Sequence, residues 1–192
     1  MNIRVVLLLV PFLITGCSTV SNFSFSSLSP FNWFGGSPML SDSGLGDISS
    51  ATPLDEDSLN KTLDDDYRLR KGMGMSAGQT TTFFEAMDGT KLQLAFYGNE
   101  QGKVERIEVM DKGIKTPAGT KLGTEFSELF EKAYNHCEVG TGDYTGSVIC
   151  QSPESKHISY IFSGEWMGSS SIMPPDDKLK TWTISKMVWS AK

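Results

Sequence analysis

The chain has 192 residues, with 17 basic and 23 acidic side chains and a formal net charge of −6. An acidic chain without a block of Lys or Arg argues against nucleic acid as a partner and against electrostatic docking on anionic lipid. With 39% hydrophobic residues, its length suits one folded domain plus a tail.

The N-terminus has the marks of an export signal. Met1-Asn2-Ile3-Arg4 supplies one positive charge. The apolar run 5–14 that follows is too short to cross a bilayer as a helix, which takes about 20 residues. Pro11 inside it is badly tolerated in a buried globular helix. A charged start, a short apolar centre and small residues at the end define a secretory signal. Ile14-Thr15-Gly16-Cys17 resembles the lipobox of bacterial lipoproteins at every position. That resemblance implies cleavage between Gly16 and Cys17, with lipid carried on the Cys17 sulfur and on the freed amine. The alternative is an ordinary secretory signal followed by an unrelated cysteine. Each buried methylene contributes about 0.8 kcal/mol, so two or three acyl chains anchor stably where one is marginal. Ser18 resembles the residue that follows the cysteine in lipoproteins sorted to the outer membrane. The expected address is therefore the outer membrane, facing the periplasm. Removal of 1–16 takes Arg4 from the 17 basic residues, leaving 16 against 23 acids and a formal charge of −7.

From Ser18 to about Thr52 the chain is mostly Ser, Gly, Pro, Asn and Thr, with no charge before Asp42. It lacks a helical or strand period, so residues 17–54 are expected to form a lipidated flexible tether and 55–192 a single β-rich domain. Phe23, Phe25, Phe31, Trp33 and Phe34 either lie among lipid headgroups, where aromatic rings sit well, or pack on the domain, or remain exposed.

Asp55 to Leu63 has acids at the positive end of a short helix. Asp64-Asp65-Asp66 lacks the Gly and Glu of a calcium loop at the required offsets and reads as a solvated turn. The period then becomes two. Tyr67 to Lys71, Thr80 to Ala86, Lys91 to Tyr97 and Val104 to Met110 alternate or are rich in β-branched and aromatic residues. Asp88-Gly89 and Gly98-Asn99-Glu100-Gln101-Gly102 turn between them, which predicts an antiparallel meander.

Thr116-Pro117-Ala118-Gly119 breaks that pattern. A principal amphipathic helix is predicted at about 124–136, with Thr124 as N-cap and Glu128 able to pair with Lys132. Phe126, Leu129, Phe130, Ala133, Tyr134 and Cys137 share its apolar face. Besides Cys17, the chain's cysteines are Cys137 and Cys150. An even pair in an oxidising compartment reads as a disulfide, and without C-x-x-C spacing or an adjacent His/Cys cluster no metal or cofactor is expected. The bridge is expected to pin the helix's C-terminal end to a strand at Val148-Ile149-Cys150. Two more strands follow, His157 to Phe162 and Thr181 to Trp189. In the last, Lys186 would point inward after Trp182 and Ile184 unless a bulge near it brings Met187 and Trp189 into line. The fold class is therefore mainly β, an antiparallel sandwich or meander of about seven or eight strands with one helix packed on it.

The segment 163–177 has no regular period yet carries Trp166, Met167, Ile172 and Met173. Loops of this length are often functional. Either it forms a partner-binding loop or it folds back on the core.

The lipobox at Cys17, the run Leu63-Asp64-Asp65-Asp66-Tyr67-Arg68-Leu69-Arg70-Lys71-Gly72-Met73, and Thr116-Pro117-Ala118-Gly119-Thr120-Lys121-Leu122-Gly123 together resemble the YfeY-like enterobacterial lipoproteins over essentially the full length. The resemblance implies an outer-membrane lipoprotein regulated by the envelope-stress sigma factor, a mostly-β domain with a helix, and no transferable catalytic residue. His136 and His157 are the available neutral-pH bases. No G-x-S-x-G, H-E-x-x-H or P-loop pattern occurs, and a bridged Cys137 and Cys150 would offer no free thiol. The expected function is a non-catalytic binding or structural role in the envelope, engaging an envelope protein, peptidoglycan or lipid. The alternative is a hydrolase of an envelope polymer, working through two carboxyls, or an acid near His157, that meet only in space.

Overall fold

The structure is a computed structural model that describes residues 38–76 and 79–191. The lipobox, Cys17 and the aromatic residues between Phe23 and Phe34 lie outside the described residues.

The folded part begins earlier than the composition indicates. A tight pair of two-residue strands, β1 (Leu40–Ser41) and β2 (Gly44–Leu45), opens it. Leu40, Leu45 and Ile48 are fully buried in the hydrophobic core. Leu40 N–H donates to the Lys115 carbonyl at 3.0 Å, and the Trp189 indole donates to the Asp42 carbonyl at 3.0 Å. The tether expected over 17–54 therefore does not extend to 54. Three isolated apolar residues among Ser, Asp and Gly show no period, yet each fills a place in the core.

Helix α1 (Glu56–Thr62) forms where its acids predict; the structure adds a cap, the Asp55 carboxylate accepting from Ser58 N–H at 2.8 Å, and turns Leu59 inward. Asp64 and Asp65 follow at φ 52° and 57°, an exposed left-handed turn that short polar side chains tolerate.

Eight antiparallel strands then build one continuous sheet. They are β3 (Arg68–Ser76), β4 (Gln79–Asp88), β5 (Lys91–Gly98), β6 (Val104–Val109), β7 (Cys137–Val139), β8 (Val148–Gln151), β9 (Ile158–Ser163) and β10 (Thr183–Ser190). Their spatial order is β3-β4-β5-β6-β10-β9-β8-β7. Two four-stranded meanders, each built from sequential neighbours, thus join through the last strand of each. One face carries the main core, with Phe84, Leu94, Phe96, Ile107, Val109, Tyr160, Phe162, Met187 and Trp189 all buried on it. The mainly-β antiparallel class and its eight strands match the sequence reading. So does the bulge: Ile184 pairs with Phe162 and Lys186 with Ile161, leaving Ser185 as the extra residue.

The principal helix expected at about 124–136 is corrected. Only one turn, α2 (Phe126–Leu129), is helical, with Glu128 Oε1 accepting from Glu125 N–H at 2.8 Å. Phe130 is already extended (φ −138°, ψ 134°) and Asn135 is left-handed at φ 66°. The backbone ahead of the turn is committed elsewhere. Gly123 N–H donates to the Ile184 carbonyl, Ile184 N–H to the Thr124 carbonyl, and Phe126 N–H to the Trp182 carbonyl. Ala133 N–H donates to Asp176 of a further single turn, α3 (Asp176–Leu179). Phe126, Phe130 and Ala133 are still buried, but the segment delivers them to the core as a strap. Phe126 and Phe130 meet the Phe162 ring edge-on at 5.2 and 6.0 Å.

The Leu45 assignment separates a strand of the domain from a spacer residue. Leu45→Ala is expected to lower unfolding stability by about 2–5 kcal/mol, read by urea denaturation. An unchanged midpoint would return this stretch to the tether.

Candidate functional site

The sheet face opposite the main core bears the densest convergence of charge among the described residues, centred on β6 and β10. Register places Glu108 opposite Val188 of β10 and Ala95 of β5, with Arg106 opposite Tyr97. The bulge at Ser185 turns Lys186 onto this same face. Glu108 is only 5% exposed. Its Oε2 accepts from Lys186 Nζ at 2.5 Å and its Oε1 from the Tyr144 hydroxyl at 2.6 Å. The Arg106 guanidinium approaches the same carboxylate at 3.6 Å and lies over the Tyr97 ring, 3.9 Å from its centroid. Lys186 Nζ also stands 5.2 Å from the Tyr144 ring centroid.

Tyr144 reaches Glu108 from the connection between β7 and β8, where a short 3-10 turn (Gly142–Tyr144) lies between Gly142 at φ 58° and Gly146 at φ 85°. These left-handed positions suit glycine and let the loop fold back over the sheet. Ala95, Ile161 and Val188 are buried on this side too, so the loop closes a small second layer. The base of the same hairpin is the Cys137–Cys150 disulfide, which joins directly paired residues with Cα atoms 4.0 Å apart. The bridge expected from the cysteine count is present. It joins strand to strand, because Cys137 opens β7 and does not end a helix.

Burial holds the Tyr144 phenol well above its ordinary range, and the hydrogen bond to Glu108 and its negative charge act in the same direction. Tyr97 is raised for the same first reason, burial, and next by Glu108, with Arg106 opposing. Beyond this cluster, Tyr67 is raised by burial and by its 2.8 Å hydrogen bond to Asp111.

The loop 163–177 divides its four singled-out residues. Trp166 and Met173 are partly buried against the core, whereas Met167 is fully exposed and Ile172 is 60% exposed. The Trp166 indole donates to the Ser169 carbonyl at 3.3 Å, closing a tight turn that leaves Met167 at its tip. His157 immediately precedes β9, and its Nδ1 lies 2.8 Å from the Ser190 carbonyl. Ser155 donates to Asp42 and accepts from His157 N–H, so the acid engages the serine while the imidazole engages a carbonyl. That order does not form the base–nucleophile contact of a catalytic triad. His136 is exposed at the turn before β7, 5.7 Å from the Phe130 ring.

Sequence reading did not find the Glu108 cluster. Glu108 and Arg106 come from β6, Lys186 from β10 and Tyr144 from a loop, with Tyr144 36 positions and Lys186 78 positions beyond Glu108. Glu108 reads as the polar half of an alternating strand. The one signal was Lys186, whose misfit demanded a bulge.

Residues 22–191 match a family model described as "Protein of unknown function (DUF1131)". The chain is 43% identical over 188 residues to the uncharacterized protein YfeY of Escherichia coli (strain K12), covering 98% of each. It is also similar to the crystal structure of the uncharacterized protein yfeY from Escherichia coli, with a TM-score of 0.74, 40% identity, and coverage of 79% of this chain and 99% of that one.

Two outcomes follow, one from the Glu108 cluster and one from the raised phenols of Tyr144 and Tyr67. Lys186→Met removes the nearer of the two cations beside the buried Glu108 carboxylate and leaves only the more distant Arg106, which is expected to cost about 3 kcal/mol in urea unfolding, with Lys186→Met/Glu108→Gln recovering much of it. Second, Tyr144 and Tyr67 hold their protons more tightly folded than unfolded. They therefore add stability below about pH 10, and that stability drains away as pH rises from there towards their folded values. Thermal midpoints measured from pH 8 to 11 should fall less steeply for Tyr144→Phe/Tyr67→Phe than for the unaltered protein.

Proposed function

The chain belongs to the DUF1131 family of proteins of unknown function, and on that premise we propose that it is a lipid-anchored protein of the bacterial outer membrane. Its β-rich domain faces the periplasm in a non-catalytic binding or structural role connected with envelope stress. The observation that carries this reading is the allocation of cysteines. Of three in the chain, Cys137 and Cys150 are bonded to each other, which leaves Cys17 at the end of the lipobox. A disulfide suits an oxidising compartment, which export through the signal at 1–16 supplies.

A binding role is supported by the way the charged side chains are engaged. Both oxygens of Glu108 are taken up by Tyr144 and Lys186, with Arg106 beside them, so this carboxylate is held as a structural anion. The hydrolase alternative needs two carboxyls, or an acid and a base, facing a shared space where a substrate bond can sit. Met167 and Ile172 give the loop 163–177 an apolar, outward tip of the kind that meets a partner's surface. An envelope protein, peptidoglycan or lipid remains the proposed class of partner.

Labelled palmitate fed to cells is expected to enter the full-length chain and to be lost in Cys17→Ala; an equal signal in that variant would overturn the anchor. A photo-crosslinking residue in place of Met167 should capture an envelope component in living cells. Captures from an exposed control position that match it, or none at all, would remove the binding loop.

A further inference from the structure

We propose that β3 is a self-association edge, along which two copies of this chain pair antiparallel about Gly72 to continue their sheets into one. Among the described residues, β3 is the outer strand of the sheet on its side, paired on one flank with β4 and on the other with no strand. It runs nine residues, Arg68 to Ser76, without a proline or a bulge in its register. Long open edges are normally blunted by prolines, bulges or charge, because their unpaired N–H and C=O groups template another strand; on β3 only the first half carries charge, and 72–76 carry none of these devices. The opposite edge, β7, has only three residues. Two of the large apolar side chains exposed among the described residues, Met73 and Met75, stand on β3, at 76% and 78% exposure.

The distribution of charge along β3 selects the occupant. Arg68, Arg70 and Lys71 fill its first half, and 72–76 carry no charge. A second copy laid parallel would set these cations side by side. Laid antiparallel, each basic half meets the other copy's neutral half. Full-length overlap of a nine-residue strand centres on its fifth residue, Gly72. The register then places Lys71 opposite Met73 of the second copy, Leu69 opposite Met75, Arg70 opposite Gly74 and Arg68 opposite Ser76. No like charges oppose, which is the condition that cross-strand pairing imposes.

Both faces of such a pair are chemically consistent. Leu69, Lys71, Met73 and Met75 alternate onto the core side, where Leu69 packs against the core and Lys71 Nζ stands 5.8 Å from the Phe84 ring centroid. Met73 and Met75 of one copy would meet the Lys71 stem and Leu69 of the other, so each core extends into the next. On the other side Arg70 is already neutralised by Glu85, its Nε donating at 2.6 Å, and does not call for an acidic partner. Gly72 is required there by its own neighbour, since a Cβ would fall 2.2 Å from the Phe83 ring. The pairing is isologous, with residue i meeting j and j meeting i, so it closes at two copies.

The test uses the full-length chain. Lys71→Cys and Met73→Cys copies expressed together should give a disulfide-linked dimer, because directly opposite residues lie about 5 Å apart. Either variant alone should not, since identical positions are then separated beyond the roughly 7 Å limit of a disulfide. Sedimentation in density-matched detergent should show a dimer that Met73→Lys weakens about tenfold, by placing Lys against Lys71, and that Lys71→Glu in the same chain restores. Both positions are exposed, so folding is not at stake. A monomer, a mixed crosslink no stronger than either variant alone, a crosslink only to another protein, or failure of the Glu variant to restore the dimer would each overturn the proposal.

Discussion

The pairing of β6 with β10 holds this protein together. Every other neighbour in the eight-stranded sheet is adjacent in sequence, even β9 and β10 with their long intervening loop and α3, whereas β6 and β10 meet across the whole second half of the domain. On one face of the seam Ile107 and Val109 meet Trp189 and Met187 in the main core. On the other, Glu108 binds Lys186 from the facing strand. The single-residue bulge at Ser185 makes both possible. Without it Lys186 would follow Ile184 into the core, and Met187 and Trp189 would turn outward. One extra residue thus sets which side of β10 is oil and which carries charge.

The second layer depends on that choice. Once Lys186 faces Glu108, a buried ion pair exists that needs its remaining acceptor filled, and the Tyr144 hydroxyl fills it. The hairpin that carries Tyr144 is closed at its base by Cys137–Cys150 and turned over the sheet at Gly142 and Gly146. A hairpin closed covalently at the sheet's edge thus reaches, through its loop, the charge pair at the sheet's middle. The loop 163–177 lies beside that hairpin, with Trp166, Ser170 and Ile172 lining a small cavity together with Gly146 and Ser147.

Elements set by local chemistry were legible in the sequence. The acids at its positive end specify α1, and Asp88-Gly89 specifies the turn between β4 and β5, with Gly89 at φ 58°. The alternation of Leu92, Leu94 and Phe96 is expressed directly in β5, and the misfit of Lys186 announced the bulge. What was not legible was decided by distant partners. The segment 124–136 has a helical apolar stripe, but its N–H and C=O groups gain stronger use alongside Trp182 and Ile184, and Phe130 reaches the Phe162 ring better from an extended backbone. Leu40, Leu45 and Ile48 look like stray apolar residues in a Ser- and Gly-rich stretch because their period is that of the pocket they fill. Glu108 looks solvent-facing because alternation cannot show a loop that returns to cover the outer face of a strand.

The seam also dictates the order in which the fold can close. The strands β3 to β6 can assemble from local turns as soon as they exist, yet β6 then presents an open border until β10 arrives at the extreme C-terminal end of the chain. Joining them closes a long stretch of polypeptide, and such non-local closure is the slow kind. A nascent or newly delivered chain therefore passes through a half-built state in which Ile107 and Val109 face β5 on one flank and no strand on the other, the sort of edge that attracts chaperones and aggregation alike. Loss of the last few residues, which cross the middle of the sheet, would be felt by the whole domain.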